Sequence, residues 1–355
     1  MYPLTRRKID KYLLVATLVL TFWSIFHLYT ISAEGSWYYF QRQLIWISCG
    51  IFFLFLFCYL PTQIWSRSAY FIYLVAAVLL IVVILKGEPV HGARRWLEVG
   101  LLRFQPSEVA KIALILSLSK MLATQDEIKW KTILLSSLLT IIFSFLIAIQ
   151  PDLGTSLILF SIWLVLLFVG GISLRKFFIL TGAIITLFPI FYSFLRPYQK
   201  MRILTYLNPQ KDPLGAGWSS LQSKITLGSG RLLGKGIGGA THTKLKYLPQ
   251  PLTDFIFSSM GEEWGFVGIT LIITAYLIII SRGVYLALRK SNSFSGLFAA
   301  GFTVLIALQA FINMGMACGI MPVTGVPLPL ISYGGSSILL FLSGIGILLA
   351  ISRET

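Results

Sequence analysis

Charged residues are scarce in this sequence of 355 residues: Asp, Glu, Lys and Arg make up 12%, whereas 56% of the residues are hydrophobic. Soluble domains carry about a quarter charged residues. Uncharged runs recur along the chain, and each is long enough for an α-helix to cross a hydrocarbon core of about 30 Å. This composition excludes a soluble enzyme or a nucleic-acid-binding protein, and it predicts a polytopic helical membrane protein.

Cysteine is also rare, and nucleotide-binding motifs are missing. The three cysteines have no paired spacing that would indicate a metal site or a disulfide framework. The glycine-rich segment 228–239 is not a phosphate loop, because Lys235 is followed by Gly236 rather than by Ser or Thr. Its backbone amides, together with Arg231 and Lys235, could still contact an anion. A flexible surface loop is the alternative interpretation of this segment.

The apolar runs predict an all-α integral membrane fold, a single domain over residues 1–355 that forms a bundle of ten transmembrane helices. A large extracytoplasmic loop at about 196–262 separates the seventh helix from the eighth. Within this loop, the spacing of Trp218, Leu221 and Ile225 predicts a short helix on the membrane surface. The predicted spans are about 12–33, 43–60, 68–86, 106–124, 132–150, 153–171, 176–195, 264–289, 296–321 and 332–352.

The basic residues predict which side of the membrane each end faces. With the N-terminus inside, the inner segments hold 14 Lys and Arg residues, and the short outer segments hold five. Because basic residues favour the cytoplasmic side, both termini are predicted to be cytoplasmic. The outer loop 196–262 has nine basic against three acidic residues, a net +6. This charge suits anionic lipid headgroups or a lipid-linked phosphate, and a solvated basic loop is the alternative.

Ionisable residues at membrane depth are costly, so each is a candidate site residue. Glu108 and Lys111 lie one turn apart in the predicted fourth span and share a helix face. They predict a polar cavity; the alternative is a first-turn charge with a lysine that reaches back to the surface. Asp152 follows Pro151 in the tight turn between the fifth and sixth spans. It could cap the sixth helix or bind a ligand directly.

Asp254 is an isolated carboxylate among apolar and aromatic residues near the predicted membrane surface. Partial desolvation would raise its pKa towards the range in which a general base works well; capping of the eighth span is the alternative. The segment 322–337 contains three prolines and then small residues, which predicts a stiff connection and close helix packing. Gln309 and Asn313, one turn apart, favour contacts between helices over ligand binding.

Five motifs together resemble the SEDS family of bacterial cell-wall polymerases, in particular its elongation branch. The resemblance covers essentially the whole chain. The motifs are RRWLEVGLLRFQPSEVAK (94–111), QPDLGT (150–155), DPLGAGWSSLQSKITLGSG (212–230), TDFIFSSMGEEWGFVG (253–268) and GVPLPLISYGGSS (325–337).

This resemblance implies a peptidoglycan glycosyltransferase of the bacterial cytoplasmic membrane. It would polymerise lipid II, an undecaprenyl-pyrophosphate-linked disaccharide pentapeptide, at the outer face during elongation. The family's essential aspartate matches Asp254, its intramembrane Glu and Lys match Glu108 and Lys111, and its aspartate between spans five and six matches Asp152. The implied partners are a class B penicillin-binding transpeptidase and the elongation machinery. The chain departs from the family pattern at Gln250 and Leu252, where Glu and His are customary.

The chemistry of glycosyl transfer implies further roles for the candidate site residues. Asp254 would take the proton from the acceptor hydroxyl, while Arg94, Arg95, Arg231 and Lys235 are candidates to stabilise the departing pyrophosphate. A divalent cation, Mg²⁺ or Mn²⁺, could share that task, and no nucleotide is required. A lipid II flippase is the alternative function, because ten spans with buried charges also suit a carrier. A scaffold for a partner enzyme is a third possibility.

Overall fold

The computed structural model describes residues 8–32, 37–90, 93–99, 102–123, 125, 127–193, 195–208 and 215–354, and within them it contains thirteen helices and three short strands. The helices are α1 Lys11–Ser32, α2 Tyr38–Tyr59, α3 Thr62–Lys86, α4 Pro106–Leu122, α5 Trp130–Ile149, α6 Leu153–Val169, α7 Leu174–Ser193, α8 Pro197–Leu207, α9 Ala216–Ser229, α10 Thr241–Lys244, α11 Ile256–Arg289, α12 Phe294–Cys318 and α13 Gly335–Arg353. The strands are β1 Glu88–Val90, β2 Ala93–Val99 and β3 Leu102–Phe104.

The prediction of a polytopic helical membrane protein is confirmed. Seven helices in the described ranges are long and apolar enough to cross a membrane: α1, α2, α3, α5, α11, α12 and α13. The other three predicted spans coincide with α4, α6 and α7, and α4 and α6 each have 17 residues. The count of ten spans therefore stays a prediction.

Helix α4 is the central helix of the bundle. Pro106 occupies its first turn, Glu108 complements the positive end of its dipole, and Lys120 lies in its last turn. The apolar residues on nearly every face of α4 are buried against α3, α5, α6, α12 and α13. A helix that is buried all round lies in the interior of a bundle. This position carries Glu108 and Lys111 into the protein and away from lipid.

Helix α11 begins earlier than predicted. The sequence placed the eighth span at 264–289, whereas the helix begins at Ile256. Gly265 has φ 64° and ψ −163°, so α11 consists of two helical segments that meet at a kink. A Cβ atom at Gly265 would lie 2.2 Å from the backbone nitrogen of Gly234, so only glycine fits. The prediction was wrong here because the first segment carries polar side chains, which are nevertheless buried.

The segment 87–105, which lies between the third and fourth predicted spans, contains the three strands in a small antiparallel sheet with the order β1-β2-β3. This sheet is a departure from the predicted all-α class. Glu98 pairs in register with Arg103, and their side chains form an exposed ion pair of 2.5 Å. Hydropathy did not indicate strands this short, because residues with high β-propensity are interrupted by charges.

The segment 196–262, predicted to be a large outer loop, is mostly helical in its described part. Helix α9 confirms the helix predicted from Trp218, Leu221 and Ile225, and these three side chains are exposed. The buried face of α9 is instead polar and carries Ser223 and Thr226. Helix α8 was not predicted. Asp212, which begins one of the sequence motifs, lies outside the described residues.

Close packing holds α13 against α2. A Cβ atom at Gly335 would lie 2.1 Å from the ring of Trp46, so any larger residue would force these two helices apart. The prediction of close contact by the small residues after the proline-rich segment 322–330 is confirmed at this position. Gln105 donates its backbone N–H to Ser336 at 3.0 Å, which ties the small sheet to the start of α13.

Candidate active site

Glu108 and Lys111 form an ion pair inside the bundle. The Lys111 Nζ atom lies 2.6 Å from Glu108 Oε1, and both side chains are almost completely buried. Glu108 Oε2 is buried and has no hydrogen-bond partner among the described residues. Neither side chain faces lipid, so the alternative of a lysine that reaches back to the surface is wrong, and the polar cavity at this pair stays a prediction. Because a buried unpaired carboxylate oxygen is costly, this oxygen is available to a ligand or to water.

Asp152 caps α6. Its carboxylate accepts from the backbone N–H of Thr155 at 3.1 Å and from the Thr155 hydroxyl at 2.9 Å. The capping prediction is confirmed, and a direct ligand role stays a prediction. Arg95, on β2, holds the same turn by donating to the carbonyl oxygens of Gln150, at 2.8 Å, and of Pro151. The small sheet therefore fixes the turn that carries Asp152.

The backbone at Asp254 is held by the segment that precedes α13. Asn313, on α12, donates to the carbonyl oxygens of both Asp254 and Val326 at 2.9 Å each. Ser332 donates its hydroxyl to the carbonyl oxygen of Thr253 at 2.7 Å. A Cβ atom at Gly325 would come within 3.5 Å of the Asp254 carboxylate. The stiff proline-rich segment therefore forms one wall beside this carboxylate. Asn313 joins two connecting segments rather than two helices, and the buried Gln309 side chain has no hydrogen-bond partner among the described residues, so the predicted contacts between helices are wrong for both residues.

Four charged groups influence one another here. Burial raises the pKa of Asp254 above its ordinary range, while a hydrogen bond with Thr253 and the positive charges of Arg202 and Arg95 act to lower that pKa. The negative charge of Asp152 raises it further. Burial outweighs the two arginines, so the Asp254 carboxylate is more basic than an exposed aspartate. A partly buried carboxylate of raised pKa suits a general base.

Arg202 was missed by the sequence analysis. It lies on α8, and its charge reaches Asp254 although 52 positions separate the two residues. The local signal for this residue was a basic side chain on the short amphipathic segment 197–207. Nothing in that segment indicates where α8 packs, because its position depends on contacts with α9 and with residues after α12.

The glycine-rich segment is a folded loop held by two buried carboxylates. Glu262 contacts Lys235 Nζ at 2.5 Å and accepts from the backbone N–H of His242 at 3.0 Å. Glu263 accepts from the backbone N–H of Gly238 at 2.8 Å and lies 2.5 Å from His27 Nδ1. The loop is therefore attached to the first segment of α11, and the Lys235 ammonium already has an acidic partner.

The remaining predicted residues lie away from these contacts. Arg94 is exposed on β2, opposite Pro89. The Arg231 side chain is exposed, and its backbone carbonyl accepts from Phe266 N–H at 2.9 Å. The structure thus brings Asp254, Asp152 and Arg95 into one site. The roles of Arg94, Arg231 and Lys235 towards a substrate stay predictions.

Comparisons with known proteins agree with this arrangement. The cell cycle protein family that includes FtsW, RodA and SpoVE matches residues 8–355. The chain is 38% identical over 314 residues to the Escherichia coli (strain K12) peptidoglycan glycosyltransferase MrdB, covering 88% of this chain and 85% of that protein. It matches a chain of a solved peptidoglycan synthase complex, studied for the coordination of polymerization and crosslinking, with a TM-score of 0.85 and 32% identity over 98% of both chains. The crystal structure of Thermus thermophilus RodA matches with a TM-score of 0.74 and 29% identity, over 98% of this chain and 97% of that one. The chain belongs to the FtsW/RodA/SpoVE family of cell cycle proteins.

Proposed function

We propose that this chain is a peptidoglycan glycosyltransferase that polymerises lipid II into glycan strands at the outer face of the cytoplasmic membrane during elongation. The observation that carries the proposal is Asp254, a partly buried carboxylate of raised pKa beside Arg95 and Arg202. Glycosyl transfer needs both a base and positive charge at a single site. The activity named for MrdB, a relative of 38% identity, supports the same conclusion.

The Asp254 carboxylate accepts the proton of the acceptor sugar's hydroxyl as that oxygen attacks the anomeric carbon of the donor. A new glycosidic C–O bond forms, and the bond between the anomeric carbon and the pyrophosphate oxygen breaks. The electron pair leaves with the undecaprenyl pyrophosphate. Arg95 and Arg202 stabilise the negative charge that develops on this leaving group. Glu108 and Lys111 offer a polar contact within the bundle for the substrate.

A divalent cation, Mg²⁺ or Mn²⁺, is compatible with these residues. Asp152 and Asp254 are close enough for the charge of one to raise the pKa of the other. A cation between them would relieve that repulsion, and Mg²⁺ is commonly held by one or two carboxylates together with substrate phosphates. When bound, it would supply further positive charge to the leaving group. Asp152 would be its protein ligand, and Asp254 would remain the base.

We place both termini in the cytoplasm, with ten spans and the segment 196–262 outside. The 14 to five bias of basic residues supports this orientation, and so does the exposed apolar face of α9, which suits a helix at the membrane surface. Cysteine introduced at the exposed Gly215 is expected to react with a membrane-impermeant maleimide in intact spheroplasts. Labelling only after lysis would reverse the orientation.

A class B penicillin-binding transpeptidase is the proposed partner, within the elongation machinery. This proposal is supported by the match to a chain of a peptidoglycan synthase complex that coordinates polymerization and crosslinking. A transpeptidase acts on the strands that a polymerase releases, so a complex of the two would deliver one product directly to the next reaction.

The test is a purified assay with fluorescent lipid II, with and without the transpeptidase. A ladder of glycan strands is the expected product. The flippase alternative is measured in the same preparation after reconstitution into liposomes, by the accessibility of labelled lipid II in the two leaflets. Transfer of lipid II between leaflets without any polymer would contradict the proposed function.

A further inference from the structure

A crevice opens between α8, α9 and the turn after α12. It encloses about 330 Å³ of empty space, including its mouth. The residues that line it include Arg202, Thr205, Lys224, Gly217, Gly319 and Val323.

The lining of this crevice is positively charged. Arg202 and Lys224 both contribute to it, and among the described lining residues none is acidic. Lys224 forms no ion pair or hydrogen bond in the part of the chain that the structure describes. Gly217 lies in the first turn of α9, where no side chain caps the free backbone amides. A helix N-terminus next to two cations favours a bound anion.

The buried hydroxyl of Thr205 is a second, independent indication of a ligand site. Its side chain is 3% exposed and lines the crevice. Its buried hydroxyl has no hydrogen-bond partner among the described residues. A buried unsatisfied hydroxyl costs about 1–3 kcal/mol, and an oxygen of a bound anion would remove that cost by accepting from it.

The crevice lies next to the proposed catalytic carboxylate. Arg202 lines the crevice and also lowers the pKa of Asp254. Val323 lines the crevice two positions before Gly325, which adjoins the Asp254 carboxylate. The exposed apolar face of α9 borders the same region, so the anion has a hydrophobic surface beside it.

We propose that this crevice binds a phosphate group carried by a lipid and holds it beside Asp254. The phosphate chemistry has two sources: the diphosphate of an isoprenyl-linked substrate, or the headgroup of an anionic phospholipid. The first source rests on the proposed function. In both cases, Lys224 and Arg202 supply charge, Thr205 donates its hydroxyl, and the α9 amides face the phosphate oxygens.

The test uses the full chain in phosphatidylcholine nanodiscs, with two probes in separate arms. One arm titrates farnesyl diphosphate, and the other replaces part of the bilayer with phosphatidylglycerol. Binding raises the thermal unfolding midpoint. Lys224→Met keeps the aliphatic stem that packs on Gly319 and removes the charge, so it is expected to weaken binding about tenfold or more. Lys246→Met, at an exposed lysine of the same outer segment, is the matched control and is expected to bind as the wild type does.

Thr205→Val separates ligand binding from folding. Because it removes a buried hydroxyl without a protein partner, the unfolding midpoint without probe is expected to stay equal or to rise. The increase caused by the probe is expected to fall by at least half. A purely structural Thr205 would give the opposite result in both measurements.

The two arms identify the source. Binding of farnesyl diphosphate that depends on Lys224 assigns the crevice to an isoprenyl diphosphate, and a shift with phosphatidylglycerol alone assigns it to a phospholipid. If neither probe shows binding that depends on Lys224 and Thr205, the inference is wrong. These measurements need no turnover, so they stand even if the wild-type chain forms no glycan. Conversely, a chain that polymerises lipid II but binds neither probe in the crevice would overturn this inference alone.

Discussion

Asp254→Asn is expected to lower the rate of lipid II polymerisation by about 10²–10⁴-fold, the usual cost of removing a general base. The amide has nearly the size and shape of the carboxylate but cannot accept the proton of the acceptor hydroxyl. The measurement is the initial rate of glycan formation by the purified protein with fluorescent lipid II. A variant that polymerises at the wild-type rate would contradict the assignment of Asp254 as the base.

Folding is expected to survive this change, because Asn313 holds the backbone carbonyl of residue 254 and not its side chain. The unfolding midpoint of the variant should therefore match that of the wild type. Glu98→Gln is the control for loss of a carboxylate on the same side of the bundle. Glu98 is exposed on β2 and, among the described residues, pairs only with exposed Arg103, so the rate of this variant should stay within about twofold of the wild type.

The pH dependence gives a second measurement at the same site. Catalysis requires the ionised form of Asp254, so the rate is expected to rise with pH through a pKa above the ordinary value of about 3.9. Arg202 lowers this pKa; therefore, Arg202→Gln should move the acidic limb of the profile to higher pH. An unchanged limb in this variant would show that another group titrates.

Lys111→Met is expected to destabilise the protein by about 3–5 kcal/mol, the usual cost of breaking a buried ion pair by removal of one partner. Without Lys111, neither oxygen of the buried Glu108 carboxyl group would have a partner among the described residues. The measurement is the free energy of unfolding in mixed micelles titrated with a denaturing detergent.

Two further variants test the cause of this loss. Glu108→Gln together with Lys111→Met removes both charges and is expected to recover most of the stability. Lys120→Met, in the last turn of the same helix, changes a partly exposed lysine that donates to the carbonyl of Arg67 and lies 4.7 Å from the centre of the Tyr70 ring. Because this lysine forms no ion pair among the described residues, the change should cost less than about 1 kcal/mol. Equal losses for Lys120→Met and Lys111→Met would mean that the buried pair has no special role.

Local features of this protein could be predicted from the sequence, and long-range partnerships could not. The spans follow from uncharged runs, the α6 cap from an aspartate after a proline, and the pairing of Glu108 with Lys111 from their spacing of three. Glu262, by contrast, directly precedes the predicted eighth span, and its local sequence is typical of an acidic residue that favours the start of a helix. Its partner Lys235 lies 27 positions away, and the partner of Glu263, His27, lies 236 positions away. Those contacts exist only once α1 and the glycine-rich loop pack against α11.

The same reasoning explains the error at the start of α11. Hydropathy treats Ser258, Ser259 and Glu262 as exposed loop residues, yet the loop 230–244 and α9 supply hydrogen bonds that bury them. Polar residues that find all of their partners within the protein do not need water. A hydropathy profile records the cost of burial alone and carries no information about these partners.

The side-chain amide of Asn313 has only two protons, and they are donated to the backbone carbonyl oxygens of two different connecting segments, one at Asp254 and one at Val326. The separation between these two backbone carbonyl groups is therefore set by the dimensions of a single carboxamide group. A displacement of the part of α12 that carries Asn313 would therefore move both carbonyl groups together. Such a movement would leave the separation of the two carbonyl groups unchanged. It would alter the distance from Asp254 to Arg95, because Arg95 is anchored separately to the turn before α6.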